Sequence, residues 1–342
     1  MSSKEHYVII GNGPAGNQAA FTLRENDTDA KITIISDEWI PFYYKPKIIS
    51  YISDRISKDA LLVDTLEDYK EKNIRIRLGQ EVERIDPAYH AVYLKHMEKI
   101  IYTDLIIASG SGERILPTMQ TYAEHLTSIT SYTDALEVKQ SILDAEDFLI
   151  FGGDFVGFKF MRMLIKMGKK VTILIYPNAF WPYNLNDDML AQITDSIGKL
   201  NVKYLVHDDI SQVEKQGDQY HIQTMKGVNA TFDMLLSFNG LVPNIDFVKG
   251  TGIDFDYGVL VDEFLQTNIE RIYSCGSCAQ IYHPQIKTYV ASIGWPNAEN
   301  QGKTAALNLL GAKKKIEYVG RKYFDLEGVK IKTTWWEDFG ND

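Results

Sequence analysis

Apolar positions along this chain fall into two kinds of run. Tyr7–Ile10 (YVII) and Lys31–Ser36 (KITIIS) are nearly continuous apolar stretches, the pattern of strands buried on both faces of a parallel sheet. Between them lie GNGPAG and then NQAAFTLREN, where Ala19, Ala20 and Leu23 share one helical face. From Ile74 onward short runs alternate with turns: IRIRL, EVERID, AVYLK, KIIYTD and LIIASG. The whole order then returns. LIFGGDFVG at 149–157 leads through VTILIY to VKYLV, ISQVEK, YHIQTM, ATFDM and LLSFNG. Self-similarity over so long a period predicts two copies of one α/β unit, each a glycine-loop unit followed by a three-strand meander and a last apolar strand. Residues 251–310 add TGIDFD, the strand GVLVDE, IYSCGS and a helix from about Pro296 to Leu310.

Length agrees with two or three domains, since 342 residues exceed one ordinary core. A net charge of −10 argues against a general binder of nucleic acid or anionic membranes. No run approaches the ~20 apolar residues of a membrane span, and MSSKEH leads into the first strand without a signal-peptide pattern. A cytoplasmic protein is expected. Two cysteines occur, Cys275 and Cys278 in YSCGSCA. The favoured reading is packing in a tight glycine turn, with redox and metal roles as alternatives. Zinc would need two more ligands, and His283 alone does not supply them, so no metal site is expected.

The first loop has the context a GxGxxG match requires. Gly11 permits the tight turn, Gly13 lets backbone approach a pyrophosphate, and Gly16 lets helix and strand pack closely. The helix N-terminus, opening at Pro14, supplies N–H groups and partial positive charge to the phosphates. A ribose-binding acid is due about 20 positions on. Asp37 and Glu38 stand there, and Glu38 is favoured.

In this order, GNGPAG, SDEWIPFYYKPKI, GQEVERID, DLIIASGS with Leu116–Pro117, FNGLVPN, IYSCGSCA and WPNAENQGKTAALNLLG resemble the pyridine nucleotide–disulfide oxidoreductase superfamily. The closer branch contains the rubredoxin reductases, ferredoxin reductases and nitrite-reductase flavin domains, and the likeness runs over roughly residues 6–332. It implies an α/β fold of two Rossmann-like, glutathione-reductase-type domains, the second inserted in the first, each with a β-meander. The FAD-binding domain would be 1–112 with 238–342, and the NAD(P)H-binding-like domain 113–237. Gly11, Gly13, Ala15 and Gly16 would hold the FAD pyrophosphate, Glu38 the ribose and Val82 the adenine. Lys45 and Pro46 would lie by the isoalloxazine, with Ala108, Ser109 and Gly110 in the family's ATG-like stretch. Gly276 and Ser277 would stand at the ribityl chain, and the helix starting at Trp295 would aim its dipole at the flavin pyrimidine.

Departures from the family pattern cluster. Ser277 replaces an Asp, and no CxxxxC follows the first helix, which removes disulfide-reductase chemistry. The second loop is Gly152-Gly153-Asp154-Phe155-Val156-Gly157, with a carboxylate at the central glycine position. Such a charge would block close approach and oppose a pyrophosphate by about 2–4 kcal/mol. Lys159 stands where the family has a Glu beside the flavin, and Tyr176 where a ribose-binding acid would stand; Gly240 belongs to the same NAD-like site. A working nucleotide site and a lost one both remain open. The resemblance therefore implies an FAD-dependent oxidoreductase, with NAD(P)H as a second cofactor, passing electrons to a small iron–sulfur or rubredoxin-type protein. The alternatives are an electron-transfer flavoprotein subunit with a partner redox subunit, and a nucleotide-binding regulatory module without flavin. After Gly311 there is length for one or two strands where the family has a third layer. Trp335, Trp336 and Phe339 are expected to meet a partner or a second copy, or to tuck back onto the first domain.

Overall fold

A computed structural model describes residues 5–176, 185–200, 202–292, 294–317, 323–326 and 328–332. The chain divides into two compact units. One comprises Met1–Tyr44, Leu62–Gly112 and Val242–Gly320; the other comprises Lys45–Leu61, Glu113–Leu241 and Arg321–Asp342.

In the first unit five parallel strands run in the order Ile272–Ser274, Asp104–Ile107, His6–Ile10, Lys31–Ile35, Ile74–Arg77. Val8, Ile9, Leu105, Ile106 and Ile34 are fully buried, as continuous apolar runs require when both faces of a sheet are covered. The helix Pro14–Asn26 follows the first strand and turns Ala19, Ala20 and Leu23 into the core. It packs along the helix Trp295–Leu309. Approach there is backbone to backbone: a Cβ on Gly302 would lie 2.0 Å from the Ala15 carbonyl oxygen. An antiparallel meander of Val82–Asp86, Ala91–Leu94 and Lys99–Ile101 completes the repeated part.

The second unit repeats this plan with four parallel strands, ordered Met234–Ser237, Asp147–Gly152, Lys170–Ile175, Lys203–Val206. Strand for strand, that is the order of the first sheet without its Ile272–Ser274 edge. The helix Phe155–Lys166 follows the central strand, and Ile210–Gln216, Gln219–Thr224 and Asn229–Phe232 form the second meander. Its core gathers Leu116, Met119, Leu149, Phe151, Leu174 and Leu235. The fold expected from the repeat is present in both halves. Tyr323–Leu326 and Val329–Lys332 form a hairpin, while Trp335, Trp336 and Phe339 lie outside the described residues. Among the described residues no helix is long and apolar enough to cross a membrane.

Candidate functional site

The two glycine loops share a backbone path and differ in what fills it. Gly11 has φ +104°, and a Cβ there would lie 2.1 Å from the Ala108 carbonyl oxygen, so no other residue fits the turn. Gly13 is the N-cap of its helix, with φ −79° and ψ −174° and no side-chain cap. Nothing lies within 4 Å of where its Cβ would be. The mouth of the first loop is therefore open above a helix N-terminus, the arrangement that receives phosphate. Asn12, between these glycines, has its Nδ2 shielded from solvent with no hydrogen-bond partner among the described residues. A buried donor of this kind costs about 1–3 kcal/mol unless something accepts from it. The loop and its orphan donor fit a dinucleotide pyrophosphate.

The first unit contains most of the residues singled out above. Glu38 is half-buried and accepts from the Tyr43 hydroxyl at 2.8 Å, whereas Asp37 is exposed. Val82 is buried at the start of its strand. Ala108 is buried, and the Ser109 hydroxyl donates to the Asn244 carbonyl at 2.7 Å. Gly110, at φ +71°, has open space where a Cβ would be. Gly276 donates its N–H to Gln301 Oε1 at 2.7 Å, fixing the turn that presents Ser277. Trp295 opens its helix behind an uncapped Gly294 and lies against Phe42, centroids 5.4 Å apart, and Tyr44, at 4.7 Å. Lys45 and Pro46 form an exposed turn whose stretch, Lys45–Leu61, is counted with the second unit.

Sequence reasoning missed Asn12, Gln301, Asn244 and Tyr43. Asn12 could have been found, since it sits inside GNGPAG. Tyr69 was missed as well: its hydroxyl donates to Asn17 Oδ1 at 2.7 Å and lies 3.1 Å from Asn12 Oδ1, behind the loop. No local pattern marks that residue.

The second loop is closed. Asp154 is the N-cap of its helix, with φ −66° and ψ −174°, nearly the backbone of Gly13. Its side chain does not face outward, as a simple clash with an incoming phosphate would need. Oδ1 accepts from the N–H of Val156 at 2.8 Å and of Gly157 at 2.9 Å, and Oδ2 accepts from Gly240 N–H at 3.1 Å. The residue is only 8% exposed. Burial pushes its carboxyl above the usual range, and the three N–H donors offset this only in part. Gly152 and Gly153 hold positive φ, and Gly157 packs on Phe238. Phe155 is half-buried, while Val156 and Lys159 lie on the exposed face of the helix. Tyr176 is half-buried and donates its hydroxyl to Asp209 Oδ1 at 2.7 Å, so its oxygen is already engaged. Burial, then that acceptor, pushes its phenol up.

Both cysteines are fully buried and unpaired. The Cys278 thiol lies 3.3 Å from the Cys275 carbonyl, and burial pushes the Cys275 thiol well above its ordinary value. Thiolate, the reactive form, is thereby suppressed. Among the described residues no group of three or more His, Cys, Asp and Glu side chains is placed to hold a metal.

Fold and loops together define a protein with two dinucleotide-binding units, one open at its phosphate seat and one sealed. Residues 5–302 match the model of the pyridine nucleotide-disulphide oxidoreductase family. The chain is 31% identical to an NADH-rubredoxin oxidoreductase of Clostridium acetobutylicum over 305 residues, covering 89% of this chain and 74% of that one. It superposes on the crystal structure of the NADH:rubredoxin oxidoreductase from Clostridium acetobutylicum with a TM-score of 0.75 and 27% identity, covering 94% and 79% of the two chains. A ferredoxin reductase from Rhodopseudomonas palustris shares the fold, with a TM-score of 0.83, 19% identity and coverage of 92% and 78%. The chain belongs to the pyridine nucleotide-disulphide oxidoreductase family.

Proposed function

We propose that this protein is an FAD-dependent oxidoreductase that moves electrons between NAD(P)H and a small one-electron carrier of the rubredoxin or ferredoxin type. The observation that carries the reading is the first loop, where an uncapped helix N-terminus, open space at Gly13 and the unpaired Asn12 Nδ2 converge. Bound there, FAD supplies the centre that accepts a hydride and releases single electrons. The chain's own task is to hold and orient. Gly11, Gly13, Pro14, Ala15 and Gly16 seat the pyrophosphate, Glu38 takes the ribose and Val82 meets the adenine. Ala108, Ser109, Gly110, Gly276 and Ser277 line the flavin side. The helix opening at Trp295 offers free N–H groups where reduction builds negative charge. Both thiols are buried and burial suppresses the Cys275 thiolate, so this reading gives cysteine no part in the electron path.

A second reading is favoured by the sealed second loop: a flavoprotein subunit fed by another redox subunit. Anaerobic addition of NADH or NADPH to the purified yellow protein separates the two. Bleaching of the flavin within seconds is expected for the reductase, and absence of bleaching by either nucleotide overturns it. Gly13→Asp should abolish FAD binding, since that side chain would cap its helix as Asp154 caps the second. We place the protein in the cytoplasm, in keeping with two unpaired cysteines. Trp335, Trp336 and Phe339 are assigned to contact with a partner or a second copy. Their joint replacement by Ser should lower the mass seen in light scattering.

A further inference from the structure

We infer that Asp154 sets nucleotide affinity in the second unit: its carboxylate fills, from within the chain, the donor set that a dinucleotide pyrophosphate takes at a helix N-terminus. Pyridine nucleotide then binds without that anchor. This rests on the reading that NAD(P)H is the reductant, and it concerns how that nucleotide is held.

The comparison between the loops is internal to one chain. Gly13 and Asp154 cap their helices with the same extended backbone, ψ −174° in both. At Gly13 the space beyond the Cα is empty. At Asp154 two N–H groups of the first helical turn, Val156 and Gly157, are taken by one carboxylate oxygen, and Gly240 N–H is taken by the other. Three charge-assisted bonds to a buried carboxylate make a strong internal cap. A phosphate could reach those donors only by displacing the carboxylate, which would then lose all three bonds, and an unpaired buried charge is costly. Swinging outward would bring two anions together. The seat is occupied from within the chain.

The test is equilibrium calorimetry of NAD+ with the FAD-loaded full chain, because NAD+ binds without reducing the flavin. Asp154→Gly restores the open geometry of the first loop, and glycine is itself a well-tolerated N-cap. It should tighten NAD+ binding about thirtyfold, equivalent to ~2 kcal/mol. Asp154→Ser keeps a short neutral cap, which protects the fold, and should tighten binding at least threefold. Circular dichroism and the flavin spectrum verify that both variants are folded. Affinities within threefold of the parent in both variants, whether tight or weak, overturn the inference. The reductase reading is judged separately by bleaching with NADH. Tighter NAD+ binding without bleaching leaves this inference standing and removes the reductase, and bleaching with unchanged affinity does the reverse.

Discussion

His6 shows how a single residue of the scaffold carries a pH dependence unrelated to the site. Its ring nitrogen Nε2 lies 2.9 Å from the Thr33 hydroxyl, at the foot of the first sheet. It lines a recess with Lys31, Arg75, Arg77 and Lys99, where Glu98 is the acidic member. Burial first, then the charge of Lys31, lower its pKa from 6.5 to about 4. Between those values the unfolded chain takes up a proton that the folded chain refuses, so stability is lost as pH falls from 6.5 toward 4. The ring is only partly buried, and screening reduces the effect to about 1–2 kcal/mol. Urea midpoints at roughly pH 7.5, above this window, and roughly pH 4.5, near its lower end, should differ less in His6→Gln than in the parent. An equal acid loss in both would show that His6 is not the source.

At the scale of elements, the helices Pro14–Asn26 and Trp295–Leu309 tie the phosphate loop to the C-terminal part of the first unit. Gly302 makes that approach, with the Ala15 carbonyl oxygen 2.0 Å from a hypothetical Cβ. Rigid backbone, unlike a flexible side chain, cannot step aside. Gly302→Val is expected to cost ~3 kcal/mol by overpacking. It should also displace Ala15, which lies in the loop proposed to seat FAD. The denaturation midpoint and the flavin-to-protein absorbance ratio should therefore fall together. A fall in the midpoint with full flavin content would separate the helix pair from the site.

Taken whole, the molecule repeats one plan but leaves one phosphate seat open. Ligand binding to the folded state alone adds about 2.7 kcal/mol at a hundred times the dissociation constant. Stripping FAD should therefore lower the thermal midpoint by roughly 4 °C for a chain of this size. Scanning fluorimetry on the stripped protein should show recovery on adding FAD and none on adding NAD+ at equal concentration. Recovery by NAD+ alone would mean that the second seat is as open as the first.

What the sequence determined by itself was local in origin. Continuous apolar runs such as YVII and VTILIY must be buried on both faces, and parallel sheets with helices between them achieve that. Gly11 and Gly152 both take up positive φ, which the loop motif already demanded. The repeat of strand order was legible because each copy carries its own pattern of runs and turns. Tertiary structure decided whatever depends on partners far along the chain. The second loop is sealed in part by Gly240, 86 positions from Asp154, and Gln301 fixes Gly276 from 25 positions away. From sequence, Asp154 was a charge in a phosphate loop, expected to face the ligand. Folding brings a third N–H donor to it, and a buried carboxylate turns toward donors rather than solvent once three of them converge. The direction of that one side chain, and with it the difference between two otherwise matching loops, exists only in the folded chain.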